Sequence, residues 1–342
     1  SRRGRDVRVE RLSPTLAPAW DAYVEAHADG WWWHTSAWLE YQTYYRAGNR
    51  DLSFAIVEDR ETPMRTPDPA IIWAPRERHL LGIVPLMLSR GPDGAPEFSY
   101  SGDPLAAGLA CDAETAQVGA AHTLSLVREH GVRRALIASS PFGSPCIIVL
   151  PERPPIQTPY NATQRVVDLH QEPCALWRGV RRSYRSLIHR AEDRHTFTTY
   201  AGDSAQSVAG FAAYQALHRR LATLPRSGET YRLQGEWVLD GHALIVVAER
   251  PEGVLGAAYW IMDKDCAYYA SGAYAVDDLA HAIVWRSLLA LRDCGVTQVS
   301  LGWQSRAFTE KEQAIEVFRR GFGGADVPAQ IAEVLFSEQV RA

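Results

Sequence analysis

The same ordered set of features occurs twice in this sequence, at a separation of about 165 to 170 residues. Residues 124–137 read LSLVREHGVRRALI, and residues 288–301 read LLALRDCGVTQVSL. In both segments apolar residues recur three to four positions apart and lead to a glycine, Gly131 or Gly295. This pattern predicts a helix, a glycine cap and a short strand. A chain with this repetition is predicted to contain two similar α/β units.

The segments upstream of these helices are also duplicated. Strands are predicted at 82–88 and 98–102 in the first half, and at 253–262 and 268–272 in the second, with a Ser-Gly pair closing each set. Each unit is therefore predicted to contain a sheet flanked by helices.

The length of 342 residues agrees with two domains. Four prolines between positions 151 and 159 interrupt regular structure and predict an extended connector. We therefore expect one unit over residues 1–158 and another over residues 159–342.

Charge and cysteine usage exclude several classes of protein. The 36 basic residues are outnumbered by 40 acidic ones, so bulk electrostatics cannot capture nucleic acid and any RNA contact must be local. The five cysteines form no C-x-x-C pair, which argues against a disulfide framework and favours a reducing cytoplasm. The apolar runs are shorter than the ~20 residues that span a bilayer, so no membrane insertion is expected.

Common catalytic motifs are absent. The sequence has no G-x-S-x-G elbow, H-E-x-x-H motif, P-loop or G-x-G-x-x-G turn. His189 and His195 are six residues apart, which places them on different faces of a helix, and no metal site is expected.

Two segments carry most of the chemical signal. Residues 176–194 are the most basic stretch and are predicted to form one helix, which either contacts phosphates or is a solvated amphipathic helix. The run from Phe318 to Gly324 combines aromatic residues, arginines and glycines. It is either a site loop in which an arginine meets an oxyanion, or a glycine-rich turn that caps the helix predicted at 310–320.

The order of these features resembles the Fem-type (FemABX) aminoacyltransferases, over nearly the whole chain. The matching segments are the duplicated α/β units, the His34-to-Trp38 entry, Arg185-x-x-Ile188-x-x-Ala191, Tyr269-Ala270-Ser271-Gly272, and Phe318 to Gly324. The resemblance implies two tandem GNAT-like acyltransferase units, each a mixed sheet flanked by helices. It further implies transfer of an aminoacyl group from aminoacyl-tRNA to an amine, with the acceptor bound between the units.

Residue roles follow from the resemblance. The family's Phe-Lys pair before its Gly-Phe-Gly turn matches Phe318 and Arg319, so an arginine replaces the cation that stabilises the developing oxyanion. The substrate-binding residues implied are Trp38, Tyr100, Arg185, Tyr269 and Ser271. Asp103 or a substrate carboxylate could accept a proton from the amine. The arginines expected to contact tRNA are Arg178, Arg181, Arg182 and Arg320.

Departures from the family bear on the acceptor. Gln42 stands where cell-wall members have a lysine, which weakens a diphosphate grip, and no charged helical arm lies between Arg194 and Arg250. An amine-bearing small molecule or peptide of specialised metabolism, such as an antibiotic intermediate, is therefore favoured over a peptidoglycan precursor.

The donor and the alternatives follow from charge. Acids stand at both predicted helix starts, Asp112 with Glu114 and Asp277 with Asp278, where they repel a pyrophosphate. CoA is thus disfavoured, aminoacyl-tRNA is the expected donor substrate, and no cofactor is expected. An acyl-CoA-dependent N-acyltransferase and a degenerate fold that only binds RNA or a partner remain open.

Overall fold

The computed structural model describes residues 7–60, 63–64, 72–73, 77–140, 142, 157–222, 226–276, 278–304 and 309–337. The chain divides into two compact units: unit 1 contains residues 1–160 and 330–342, and unit 2 contains residues 161–329. The proline-rich segment predicted as a connector lies largely outside the described residues.

The C-terminal residues differ from the predicted division, because those from Gln330 onward belong to unit 1 and not to unit 2. Residues 331–335 pair antiparallel with residues 134–138, which are a strand of unit 1. Pairing between strands far apart in sequence leaves no local signal, so the predicted boundary of 159–342 is wrong at its C-terminal end.

The described residues of unit 1 form two main sheets and three α-helices. Its helices are α1 (Ala17–Ala26), α2 (Ser36–Tyr45) and α3 (Ala113–His130), and a short 3-10 helix covers Trp32–His34. Its strands are β1 (Val7–Arg11), β2 (Arg50–Asp51), β3 (Phe54–Arg60), β4 (Pro63–Met64), β5 (Ile72–Trp73), β6 (Glu77–Val84), β7 (Met87–Arg90), β8 (Pro96–Phe98), β9 (Leu105–Ala106), β10 (Leu109–Ala110) and β11 (Arg134–Ala138). One sheet has the order β1-β3-β6-β10, the other contains β2-β7-β8-β11, and β4 pairs with β5.

Unit 2 is built on a single mixed sheet. Its strands are β12 (Gln157–Asp168), β13 (Thr196–Tyr200), β14 (Ala243–Arg250), β15 (Gly253–Asp263), β16 (Cys266–Tyr274), β17 (Gln298–Gln304) and β18 (Ala325–Leu335), of which β12 begins and β18 ends in residues of unit 1. Its helices are α4 (Pro173–Gly179), α5 (Arg182–Glu192), α6 (Ala205–Leu221), α7 (Gly228–Leu239), α8 (Leu279–Asp293) and α9 (Glu310–Arg320). The order of the first six strands is β13-β14-β15-β16-β17-β12.

Strand alternation assigns helices to the two faces of this sheet. Trp260 of β15 is buried in a core with α5 and α8. Its neighbour Tyr259 faces the other way, where its ring contacts Tyr214 of α6 and its hydroxyl donates to the Gln234 carbonyl of α7.

The predicted duplication is confirmed by one shared supersecondary element. In unit 1, α3 ends at Gly131 and leads into β11, which is parallel to β8. In unit 2, α8 ends just before Gly295 and leads into β17, which is parallel to β16. Both glycines have positive φ, 62° and 86°, which terminates a helix at little steric expense.

Three predicted elements differ from the structure. The strand expected at 82–88 is divided between β6 and β7, and Ser101-Gly102 forms a turn whereas Ser271-Gly272 lies within β16. The basic segment 176–194 forms two helices, since α4 ends at Gly179 and Val180 is extended. Helix α7 was not predicted, although Ser227 caps it by accepting a hydrogen bond from the Thr230 amide.

Candidate active site

A cavity of about 380 Å³ lies in unit 2 between β16, β17, α8 and α9. Arg319 is the one charged residue among its described lining residues, and the walls are otherwise apolar or phenolic. The lining residues are Tyr269, Gly272, Tyr274, Ala280, Val284, Leu301, Ile315, Phe318 and Arg319.

A β-bulge in β16 determines which side chains face this cavity. Trp260 pairs with Tyr269 and Tyr259 with Ser271, so Ala270 is an extra residue and the alternation of the strand is reset there. Tyr269 therefore faces the cavity together with Gly272 and Tyr274. Ser271 faces away from it.

The two tyrosine hydroxyls in the cavity are hydrogen-bonded to each other at 2.7 Å. Gly272 makes this contact possible, because a Cβ atom there would lie 2.1 Å from the Tyr269 hydroxyl and 2.5 Å from that of Tyr274. Burial raises the pKa of Tyr269 to about 12 and also raises the pKa of Tyr274. Both phenols are thus neutral donors near pH 7.

Arg319 extends from the last turn of α9 to the backbone of β17. Its Nη1 donates to the carbonyl of Trp303, and it forms no ion pair within the described part of the chain. Gly302 leaves room for this guanidinium, since a Cβ atom at that position would lie 2.7 Å from Nη2. Burial lowers the pKa of Arg319, but a guanidinium is basic enough that the group stays charged.

Phe318 forms the wall beside Arg319. Its ring contacts those of His281 and Phe322, with centroids 5.1 and 5.2 Å apart. His281 is half-buried behind Phe318, and this partial burial lowers the pKa of its imidazole. Packing against His281 and Phe322 therefore fixes the position of the Phe318 ring in the cavity wall.

The glycine turn after α9 packs closely on the rest of unit 2. A Cβ atom at Gly321 would lie 1.9 Å from the Tyr184 ring, and one at Gly324 would lie 2.2 Å from the Val166 carbonyl oxygen. Phe322 is buried. The glycines of this segment therefore form a turn that ends α9 and packs on the core, as one of the two interpretations of the sequence expected. Arg319, just before the turn, is the residue that lies at the cavity, as the other interpretation expected.

The structure brings together three of the predicted site residues, Phe318, Arg319 and Tyr269. Ser271 lies on the opposite face of the sheet, where its Oγ is 2.6 Å from the Tyr214 hydroxyl, so it does not line the cavity with Tyr269, and its substrate-binding role stays a prediction. The cause is the bulge at Ala270, which period-two alternation does not anticipate.

Trp38, Tyr100 and Asp103 lie in unit 1. Tyr100 is buried, its ring contacts that of Trp38, and its hydroxyl donates to the Trp33 carbonyl at 2.9 Å. Asp103 is exposed on the adjacent turn. Their roles in acceptor binding stay predictions.

Three of the four predicted RNA-contacting arginines lie on α4, on α5 and at the break between them, and the fourth, Arg320, ends α9. Arg178, Arg181 and Arg182 are exposed and form no ion pair with any described residue. Arg185 is half-buried on α5. Arg320 differs, because it pairs with Glu316 and Asp326 at 2.7 and 3.2 Å and its charge is already neutralised.

Acids occupy the start of α3 as expected, and Asp112 accepts the Thr115 amide at 2.8 Å. At the start of α8, Asp278 caps no backbone amide. A carboxylate at these positions opposes phosphate binding at either helix N-terminus.

The cavity is also lined by residues that the sequence did not single out, chiefly Leu301, Ile315 and Tyr274. These residues reach the cavity because β16 contains a bulge and because α9 packs beside β17. No local pattern encodes either contact. A repeat of tyrosines around Gly272 was the only signal.

Among the described residues, no cluster of histidine, cysteine or carboxylate side chains has the geometry to hold a metal ion. No helix in the described segments is long and apolar enough to cross a membrane.

Solved structures supply the informative similarity, since no family model and no curated protein matches this chain. The crystal structure of FemX is similar, with a TM-score of 0.60 and 12% identity, over 97% of this chain and 98% of that chain. A conserved protein of unknown function from Bacteroides thetaiotaomicron has a TM-score of 0.51 and 6% identity, over 96% of this chain and 100% of its own. The predicted Fem-type α/β fold is thus confirmed at the level of the fold.

Proposed function

We propose that this protein is an aminoacyltransferase that moves an aminoacyl group from aminoacyl-tRNA to the amine of a small molecule or peptide. The observation that carries the proposal is the half-buried Arg319 guanidinium in an otherwise uncharged cavity. A cation held beside apolar walls stabilises a negative charge that forms next to it, and water screens that interaction poorly there.

The chemistry requires little else. An aminoacyl ester is already activated, so amine attack forms a tetrahedral oxyanion whose collapse releases the ribose hydroxyl and leaves an amide. Arg319 is a donor for that oxyanion, and so is one neutral hydroxyl of the Tyr269–Tyr274 pair, because the proton of the other hydroxyl is used in the bond between them. Positioning of the amine supplies up to ~7 to 11 kcal/mol more in favourable cases.

The unpaired arginines of α4 and α5 support RNA as the donor. Arg178, Arg181 and Arg182 supply local positive charge on a protein whose net charge is −4. Glu192 of α5 is engaged elsewhere, since it pairs with Arg286 at 2.6 Å. Phosphate contacts of this kind orient a nucleic acid without reading its sequence.

The acceptor is proposed to be an intermediate of specialised metabolism, because Gln42 replaces the lysine of the cell-wall members. The Gln42 side chain is neutral and also buried, so it offers no positive charge to a diphosphate.

The direct test is to incubate the purified protein with a mixture of charged tRNAs and cell extract, and to identify new amides by mass spectrometry. New amides that require charged tRNA support the proposal. Release of free CoA from acyl-CoA in a reaction without RNA would replace it with the acyl-CoA alternative.

Replacing Arg319 tests the oxyanion role. Arg319→Ala should reduce amide formation at least tenfold, which corresponds to ~1.4 kcal/mol of transition-state stabilisation, and should leave tRNA affinity nearly unchanged. Arg319→Lys keeps the charge and should recover part of the rate. Arg220→Ala, an exposed arginine on α6, is the matched control. Unchanged turnover in Arg319→Ala would refute the role.

Charge reversal tests the RNA surface. The double variant Arg181→Glu and Arg182→Glu should weaken tRNA binding at low salt and flatten its dependence on salt concentration, because fewer counterions are released. The control is Arg220→Glu with Arg250→Glu, which changes the net charge equally at exposed positions of α6 and β14. Equal losses in both double variants would indicate a net-charge effect and exclude α4 and α5 as the specific surface.

A further inference from the structure

Unit 1 contains a cavity of about 580 Å³ that no predicted site residue lines. It lies beside α3 and reaches both main sheets of the unit. Its floor includes Ile56 and Ile83 from one sheet and Phe98 and Val334 from the other. Ligand sites commonly have volumes of ~300 to 1,000 Å³, and a cavity of ~150 Å³ already admits benzene.

The composition of α3 creates this space. Ala113, Ala116, Ala120 and Thr123 follow one another at helical spacing along the cavity wall, and their side chains are too short to fill it. Gly119 lets the helix approach the sheet, since a Cβ atom there would lie 3.3 Å from both Ile56 and Val84. Helix α3 thus contacts the sheet closely at Gly119, and its short alanine side chains leave a cavity beside this contact.

The charged lining residues are all acidic. Asp29 and Asp112 are partly exposed, so they lie where the cavity meets solvent. None of the described lining residues is a lysine, arginine or histidine. The deep part of the lining, which includes Phe98, Leu105 and Val334, is apolar and buried.

We infer that this cavity binds an amine-bearing molecule whose apolar body has the size of a medium-length alkyl chain. Aliphatic walls favour such a body by removing it from water. Two carboxylates at the open end favour an ammonium group and disfavour a carboxylate. This inference concerns unit 1 alone and does not depend on the reaction proposed for unit 2.

Binding of n-decylamine to the full chain tests the inference, with decanoate as a probe of equal length and opposite charge. Isothermal titration below the micelle-forming concentration should give one saturable site for n-decylamine, with at least tenfold weaker binding of decanoate. The absence of saturable n-decylamine binding, or equal affinity for both probes, would overturn the inference.

Two matched variants locate the site. Ala120→Phe should fill the cavity and weaken n-decylamine binding at least tenfold, whereas Ala121→Phe, on the exposed side of α3, should bind as the wild type does. If Ala120→Phe does not fold, Ala116→Leu places a smaller group in the same wall. Wild-type affinity in a folded cavity-filling variant would contradict the assignment.

The carboxylates are tested separately. The double variant Asp29→Asn and Asp112→Asn should reduce the preference for n-decylamine over decanoate to less than threefold. Asparagine remains a good N-cap, so α3 should keep its start. An unchanged preference would show that these two groups do not select the amine.

Discussion

Helices α3 and α8 hold equivalent places in the two units, but they fill the space around them differently. Eight residues of α8 are buried, including Ile283, Leu288 and Leu291, whereas only Thr115, Gly119 and Val127 of α3 are buried. The same helix-and-strand element is therefore a packed part of the core in unit 2 and one wall of a large cavity in unit 1.

The contact between helix and sheet shows how the two arrangements arise. In unit 2 the glycine lies on the strand, since a Cβ atom at Gly256 would lie 2.6 Å from the Ile283 side chain. In unit 1 the glycine lies on the helix, and Gly119 faces Ile56 of the sheet. Exchanging the large and small partners preserves the contact between helix and sheet in both units.

The largest expected effect separates the two helices by stability. Leu288→Ala removes a side chain that is 1% exposed, so it should lower the free energy of unfolding by ~2 to 5 kcal/mol. Leu124→Ala, at the matching position of α3, should lower it by less than about 1.5 kcal/mol, because this leucine already borders a cavity. Urea unfolding of both variants measures the difference.

Hydrogen exchange of the two helices is the control for this pair, since each variant should raise exchange mainly in its own helix. Equal losses of stability in the two variants would mean that Leu124 is packed as tightly in solution as Leu288, which would contradict a cavity beside α3.

A second effect concerns how the stability of the two units depends on pH. Burial, with a smaller contribution from Arg226, lowers the pKa of His218 in unit 2 from 6.5 to about 4. The unfolded chain then binds more protons between pH 6.5 and pH 4, so stability is full above pH 6.5 and falls as the pH decreases through this window. The loss at pH 4.5 should be roughly 2 to 3 kcal/mol.

His218→Gln should remove most of this pH dependence in urea unfolding at pH 7 and pH 4.5. In unit 1, burial lowers the pKa of the half-buried His122 as well, so His122→Gln is the matched control and should have a smaller effect. An unchanged pH dependence in His218→Gln would place the acid sensitivity elsewhere.

The smallest expected effect compares the two helix starts. Asp112→Ala removes an N-cap and should lower the free energy of unfolding by about 1 kcal/mol. Asp278→Ala should change it by less than about 0.5 kcal/mol, because Oδ1 of Asp278 is buried and has no hydrogen-bond partner among the described residues. Midpoints of urea unfolding report both values, and a larger loss for Asp278→Ala would contradict the comparison.

Local patterns were sufficient for much of the fold. The periodicity before Gly131 and Gly295 predicted two helices and the strands after them, because a glycine with positive φ and a stripe of apolar residues act within a few positions of each other. The helix ending at Arg320 was predicted for the same reason.

The candidate site was predicted only in part. Phe318, Arg319 and Tyr269 were identified from their order in the chain, and they line one cavity. A bulge in β16 changes which side chains face the cavity, so Ser271 does not line it and Tyr274, which the sequence did not single out, does.

The sequence by itself determined the duplicated α/β plan, the helix-glycine-strand elements and the arginine next to the glycine turn, all of which depend on short-range periodicity and residue type. Only the tertiary structure decided that residues from Gln330 return to unit 1, that Arg319 reaches the β17 backbone over Gly302, and that α3 borders a cavity. These outcomes depend on contacts between distant segments, where the space left by one side chain is set by residues far away in the chain.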